Sequence, residues 1–310
     1  MRNAYIDALY ELAGKDERVL ALVADNGAIV YDKFRAAYPG RFINFGIAEA
    51  NMIGVAAGLA SCGKVPFTYT IASFLTMRAF EQIRNDVCMQ RMNVKLVGIG
   101  AGFVYSNLGA THHATIDMSI MRALPGMTVF SPSGPLEARK ITKEAARIDG
   151  PVYIRLSVGG SPEIYEADYE FETGKGVILR DGPETVDAAI FTTGGIITEV
   201  LKAHGELRHM GINARVVNVH TIKPIDKDII IASAAKTRVV ITVEEHSIIG
   251  GLGSAVAEVI AENGIAARFK RIGLQGVFAG GYGTYDDMKE MNGLSANAIV
   301  SETIDCVNMK

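Results

Sequence analysis

Between residues 42 and 63 the chain carries a single charged side chain, Glu49, set in Gly46-Ile47-Ala48-Glu49-Ala50-Asn51-Met52-Ile53-Gly54. A glutamate at a helix start can face water and interact favourably with the positive end of the helix dipole. Apolar flanks favour the other outcome, a carboxyl carried into the interior, where an unpaired charge is costly and the proton is held more tightly. A buried carboxyl of that kind in an α/β domain is a candidate general acid or base. Gly54 and Gly58, four apart on one helical face, leave room for another backbone to approach.

Three further stretches carry residues suited to chemistry. In Ser73-Phe74-Leu75-Thr76-Met77-Arg78-Ala79-Phe80-Glu81-Gln82-Ile83-Arg84, the side chains of Phe74, Met77, Phe80 and Ile83 recur at helical spacing. That pattern describes an amphipathic core helix, while an aromatic at a strand-to-helix junction also makes one wall of a pocket for a flat ring. Gly98-Ile99-Gly100-Ala101-Gly102 continues through Tyr105-Ser106-Asn107-Leu108-Gly109 to Ala110-Thr111-His112-His113. The spacing is GxGxG with Phe103 where a third glycine would stand, so the dinucleotide fingerprint is broken. The paired histidines have no cysteine or carboxylate at a metal-ligand spacing, which leaves an exposed or structural role, or proton transfer near neutral pH. Val243-Glu244-Glu245-His246-Ser247 leads into Gly250-Gly251-Leu252-Gly253-Ser254. That strand–turn–helix either binds an anion at the helix N-terminus or lets strand and helix pack closely, and Val256 again replaces the third glycine of a dinucleotide motif.

These residues need a frame. Short β-branched runs at 19–24, 42–45, 65–70, 94–99, 127–130 and 152–156 alternate with helical patterns at 47–60, 74–89 and 135–147. Strands apolar on both faces with helices between them imply a parallel sheet covered on both sides. The pattern lapses at Gly159-Gly160-Ser161-Pro162 and the acidic stretch 163–172, which reads as a linker or surface crossing. It resumes with strands at 186–192, 214–219, 238–243 and 268–272, and helices at 197–209, 226–235 and 254–263. The expected fold is α/β in two domains, 1–158 and 176–310, joined by a linker at 159–175. A chain of 310 residues, 49% hydrophobic, is long and apolar enough for two such cores. Its net charge of −3 and scattered Lys and Arg give no basic face for nucleic acid. Cys62, Cys88 and Cys306 form no CxxC pair, as expected of free thiols in a reducing cytoplasm. Met1–Asp7 lacks the apolar core of a signal peptide, and Asn44, Glu49 and Asn51 interrupt the most apolar stretch, so no membrane span is expected.

Four stretches, in order, resemble the C-terminal half of transketolases and, more distantly, deoxyxylulose-phosphate synthases. They are Phe45-Gly46-Ile47-Ala48-Glu49; Phe74 with Arg78-Ala79-Phe80-Glu81-Gln82-Ile83-Arg84; Gly109-Ala110-Thr111-His112; and Thr221-Ile222-Lys223-Pro224-Ile225-Asp226 with Glu244-Glu245-His246 and Gly250-Gly251-Leu252-Gly253-Ser254. The resemblance covers essentially the whole chain. It implies a pyrimidine-binding domain of thiamine-diphosphate enzymes followed by a transketolase C-terminal domain, in an enzyme that transfers a two-carbon ketol unit from a ketose to an aldose. By that resemblance Glu49 hydrogen-bonds the aminopyrimidine ring of thiamine diphosphate and is catalytic. Phe74 stacks on that ring, with Ile71 in place of a common second aromatic. His112 is a catalytic, substrate-side histidine, His113 beside it is a further substrate contact, and Arg2 matches a substrate phosphate contact.

The family holds the diphosphate and Mg2+ with a Gly-Asp-Gly motif that this chain lacks; Asp149-Gly150 and Asp181-Gly182 come nearest, without the first glycine. The resemblance therefore implies no metal ligand here and a partner, an N-terminal transketolase subunit carrying that motif, in an α2β2 assembly. Asn107-Leu108 replaces the usual acidic pair, Gly100 stands where many transketolases have a histidine, and no second arginine follows Arg155-Leu156-Ser157. These departures point to a modified, branched or unphosphorylated ketose, or to a different acceptor. The competing readings are a thiamine-dependent synthase or dehydrogenase subunit acting on a 2-oxo acid such as pyruvate, a non-catalytic regulatory subunit, and a dinucleotide-binding module.

Overall fold

Every residue of Val19–Val23, Lys95–Ile99, Val152–Leu156, Ala188–Thr192 and Ala214–Asn218 is buried, which is what a sheet covered by helices on both faces requires. The computed structural model describes residues 1–27, 29–157, 161–166, 168–182 and 185–309. Its strands are β1 (Val19–Val23), β2 (Phe42–Asn44), β3 (Val65–Ile71), β4 (Lys95–Ile99), β5 (Thr128–Phe130), β6 (Val152–Leu156), β7 (Val177–Arg180), β8 (Ala188–Thr192), β9 (Ala214–Asn218), β10 (Thr221–Lys223), β11 (Val239–Ser247) and β12 (Arg268–Leu274). They form a seven-stranded sheet of order β10-β5-β6-β4-β3-β1-β2 and a five-stranded sheet of order β12-β11-β8-β9-β7. All pairings are parallel except at two edges, where β7 runs antiparallel to β9 and β10 antiparallel to β5. Two α/β units with mostly parallel sheets are thus present. Apolar layers of β1, β3, β4 and β6 lie under helices on both sides, and a separate cluster fills the second sheet.

Three local departures bear on the site. The helix expected at 47–60 begins at Glu49 and runs to Ser61, because Gly46 takes a positive φ of 67° and Ala48 is non-helical. The helix expected at 74–89 is instead Ala72–Arg78, a break at Ala79, Phe80–Gln82, and a widened π-type stretch Ile83–Cys88; such widened turns often sit at functional sites. Thr221–Lys223, noticed in the sequence only as part of a motif, is a strand that leaves the second half of the chain and pairs with β5 of the first, Thr221 opposite Phe130. Lys223 then donates to the carbonyls of Leu124 and Arg122 at 2.6 and 3.0 Å.

Of the expected linker, residues 159, 160 and 167 lie outside the described residues, as does 158 at the end of the expected first domain. Among its described residues the acidic stretch has no helix or strand, yet it is fastened to the first domain. Tyr165 and Tyr169 donate their hydroxyls to Glu137, which also accepts from the Ser133 amide and Asn218 Nδ2 at 2.7 Å each. Burial raises the Glu137 carboxyl above its ordinary range despite these donors. Beside this junction His220 is buried under Phe171, ring centroids 4.5 Å apart, with Nδ1 2.8 Å from Thr221 Oγ1. Burial pushes its imidazole down to about 4 from 6.5. The neutral ring is therefore the folded form, and only the unfolded chain takes up the proton between those values. Stability falls as pH drops from 6.5 towards 4 and levels below that. The difference in urea midpoint between wild type and His220→Gln, followed from pH 7 to 4, is expected to shrink as the pH falls; parallel curves would contradict the assignment.

Candidate active site

Glu49 opens its helix just after β2, at the carboxyl edge of the parallel sheet, where open α/β sheets place ligands. As the first helical residue it lies among backbone N–H groups with no partner inside the helix. It is buried, 4% exposed, and both its oxygens accept from Arg78 Nη1, at 3.1 and 3.3 Å. Arg78 comes from the Ala72–Arg78 helix that follows β3. Its guanidinium carbon lies 3.8 Å from the centroid of Phe74, one turn earlier on the same helix. Ile71 ends β3 and precedes that helix, half-buried. Arg78 stood in the sequence only as part of a motif and was given no role, although its i+4 spacing from Phe74 was the available signal.

The histidine loop meets this group from β4. Gly102 and Ala114 pair backbone to backbone, Gly102 N to Ala114 O at 3.1 Å and the reverse at 3.0 Å, closing the neck of a loop over 103–113. Ser73 Oγ donates to the carbonyls of Thr111 and His112, pinning the loop onto the Phe74 helix. The His112 ring sits 4.9 Å from Phe74, tilted 64°, and 6.2 Å from Tyr105, with Nδ1 3.0 Å from Thr111 Oγ1. Glu49, Arg78, Phe74 and His112 are therefore one connected cluster. His113 is not part of it: it is buried edge-on against Phe103, ring centroids 5.4 Å apart, and burial lowers its affinity for a proton. Neither of its ring nitrogens makes a hydrogen bond of ordinary geometry, though the Ser106 backbone lies near enough to favour the charged form. Arg2 is half-buried beside Asn3, Ile6, Asp7 and Val30, and no hydrogen bond, ion pair or ring contact joins it to the cluster among the described residues.

The glycine-rich stretches turn out to serve packing. Glu244 accepts from the Leu252 and Gly253 amides at 2.8 Å each, so the second-domain helix N-terminus is already capped by the chain's own carboxylate. A Cβ at Gly251 would overlap Glu244, and one at Gly102 would overlap Glu245, which reaches across from the second domain to the Phe103 amide. Between these lies a pair that sequence reading missed. Asp117, fully buried, accepts from Arg155 Nε at 2.9 Å and from the Tyr153 hydroxyl at 2.6 Å, while Arg155 Nη2 donates to the carbonyls of Ala114 and Glu245.

A buried carboxyl held only by a half-exposed cation, beside an aromatic face, suits a flat heterocycle that both stacks and hydrogen-bonds, and the aminopyrimidine of thiamine diphosphate is such a group. Among the described residues, no group of three or more His, Cys, Asp or Glu side chains is arranged to hold a metal ion, and no helix is long and apolar enough to cross a membrane.

Residues 1–161 match the transketolase pyrimidine-binding domain and residues 174–299 the transketolase C-terminal domain. One component of a 6-deoxy-6-sulfo-D-fructose transketolase from a Clostridium strain is 44% identical over 97% of this chain and 92% of its own length. One component of an apulose-4-phosphate transketolase from Actinobacillus succinogenes is 42% identical over 86% of this chain and 85% of its own. A split-gene transketolase solved as an inactive β4 tetramer superposes with a TM-score of 0.90 at 42% identity, covering 100% of this chain and 98% of that one. With both domains matched in order across nearly its whole length, the chain belongs to the transketolase family, as a subunit of the split-gene kind.

Proposed function

We propose that this chain supplies Glu49 to the aminopyrimidine of thiamine diphosphate in a split transketolase that works only when an N-terminal subunit supplies the rest of the site. The observation that carries this is the buried Glu49 carboxyl lying against Phe74 and His112. When bound, the cofactor supplies an electron sink for breaking and making a carbon–carbon bond. Glu49 would hold or release a proton at a nitrogen of the bound ring, Phe74 and Ile71 would orient that ring, and His112 would handle a proton at a substrate oxygen. His113, buried on Phe103, supports the loop. Arg2, half-buried beside Ile6, Asp7 and Val30, is the proposed anion contact for the substrate.

The diphosphate and Mg2+ ligands are assigned to the partner, in an α2β2 assembly in the cytoplasm. Supporting this, Ile47, Met77 and Leu108 are exposed around the cluster, and among the described residues nothing fills the space over Gly54 and Gly58. The approach of a second backbone expected there is thus left to the partner. The domains are proposed as 1–158 and 176–310 about a linker at 159–175. Relatives named for 6-deoxy-6-sulfo-D-fructose and for apulose-4-phosphate, together with Asn107-Leu108 and Gly100, favour a modified ketose as donor. The test mixes this chain with an N-terminal transketolase subunit, thiamine diphosphate and Mg2+ and follows ketol transfer by mass spectrometry. Transfer is expected from the mixture and from neither chain alone; full activity from this chain by itself, or CO2 release from pyruvate in place of transfer, would overturn the reading.

A further inference from the structure

Arg78 makes, within this chain, the two contacts that the proposed function gives to the cofactor's ring. Its planar guanidinium stacks on Phe74 with 3.8 Å to the ring centre and bonds both Glu49 oxygens at 3.1 and 3.3 Å. A guanidinium is flat, stacks on aromatic faces and donates to carboxylates, so it can stand in for a flat heterocycle that does the same. His112 meets the same Phe74 ring at 4.9 Å, tilted by 64° and so not stacked on it. Of the two only Arg78 also holds Glu49. The exposures are unequal: the Glu49 side chain is 5% exposed and that of Arg78 46%. The carboxylate has no easy way out to water, whereas the arginine can swing into solvent on its long stem. Without it Glu49 would be left buried and unpaired, which is costly.

We infer that Arg78 is a displaceable plug. It occupies the aminopyrimidine's place and keeps the buried carboxylate paired while the cofactor is absent, then yields to the ring. This rests on the proposed function of Glu49 and adds to it a residue that sets cofactor affinity by competition. Since a site filled by its own side chain binds in proportion to the fraction of time it is open, removing the plug strengthens binding.

The experiment uses the assembled two-subunit enzyme with Mg2+. Thiamine diphosphate affinity is measured by titration calorimetry, and melting temperature with and without cofactor, for wild type, Arg78→Met and Arg78→Lys. Arg78→Met is expected to bind the cofactor about 3- to 30-fold more tightly, the worth of an exposed stack and ion pair. Its cofactor-free form should melt lower than wild type while its loaded form melts alike. Arg78→Lys, which keeps a charge for Glu49 but not the stack, should fall between. Weaker binding in Arg78→Met, or equal losses of melting temperature in both forms, overturns the plug and makes Arg78 a fixed support. The underlying reading is checked separately by exchange of the cofactor's acidic carbon-bound proton with deuterium, observed by NMR. Slower exchange in Glu49→Gln keeps that reading even where the plug fails, and unchanged exchange sinks both.

Discussion

Replacing Glu49 by glutamine lowers turnover of the assembled enzyme by about 10²–10⁴-fold at saturating cofactor, the usual worth of a positioned proton-transfer group. Glutamine keeps the shape and much of the hydrogen bonding of the side chain, so the helix that starts at Glu49 and its packing are undisturbed. What it could not do is pass a proton to and from a cofactor ring nitrogen, the role proposed for Glu49. The substitution also removes the charge opposite Arg78, whose contacts at 3.1 and 3.3 Å become neutral-acceptor bonds; because that guanidinium is half-exposed, the effect on folding is small. The loss should therefore appear in kcat and not in the melting temperature. Turnover close to that of the wild type would remove Glu49 from the mechanism.

Asp117→Ala is expected to destabilise the chain by about 3–5 kcal/mol, the penalty for leaving one member of a buried ion pair without its partner. Asp117 and Arg155 are both essentially inaccessible, and Arg155 also spans the junction by donating to Ala114 in the site loop's neck and to Glu245 on β11. Removing the carboxylate strands the guanidinium there and frees the Tyr153 hydroxyl, which in the wild type donates to it at 2.6 Å. Urea unfolding monitored by circular dichroism measures the cost. Lys227→Ala, which breaks an exposed pair with Glu262 at 3.3 Å, serves as the comparison and should cost less than about 1 kcal/mol. An apolar double replacement, Asp117→Leu with Arg155→Met, should recover part of the loss, since the desolvation of two charges is avoided. Equal effects from Asp117→Ala and Lys227→Ala would show that the buried pair has no special weight.

How much of this was legible beforehand depended on the range of the interaction. Glu49 stood out because a lone charge inside a long apolar run has few places to go, and its burial agrees with that local signal. The parallel strands were legible from runs apolar on both faces. Phe74 and His112 needed the family resemblance, because their periodicity and pairing also describe an ordinary core helix and an ordinary loop. Arg78 was hidden by that same periodicity: Met77, counted with the core face, is exposed, and the helix breaks at Ala79 so that its faces do not continue. The Asp117–Arg155 pair joins positions 38 residues apart, and no local pattern encodes such a partner. The Gly250–Gly253 turn was open to two readings until the capping carboxylate of Glu244 was located across it. The helices Arg2–Lys15 and Ala296–Asn308 went unread although their buried positions, Tyr5, Ile6, Leu9 and Ala13 in one and Ile299, Val300, Thr303 and Cys306 in the other, keep helical spacing.

β10 has a consequence for anyone who would divide this polypeptide at residue 175. The outermost member of the first sheet is encoded some fifty positions further on, so an isolated leading fragment would bare the backbone of Thr128–Phe130 along its rim. Naked rims of that kind recruit other chains and promote aggregation. A fragment meant to fold alone would therefore have to carry Thr221–Lys223 as well.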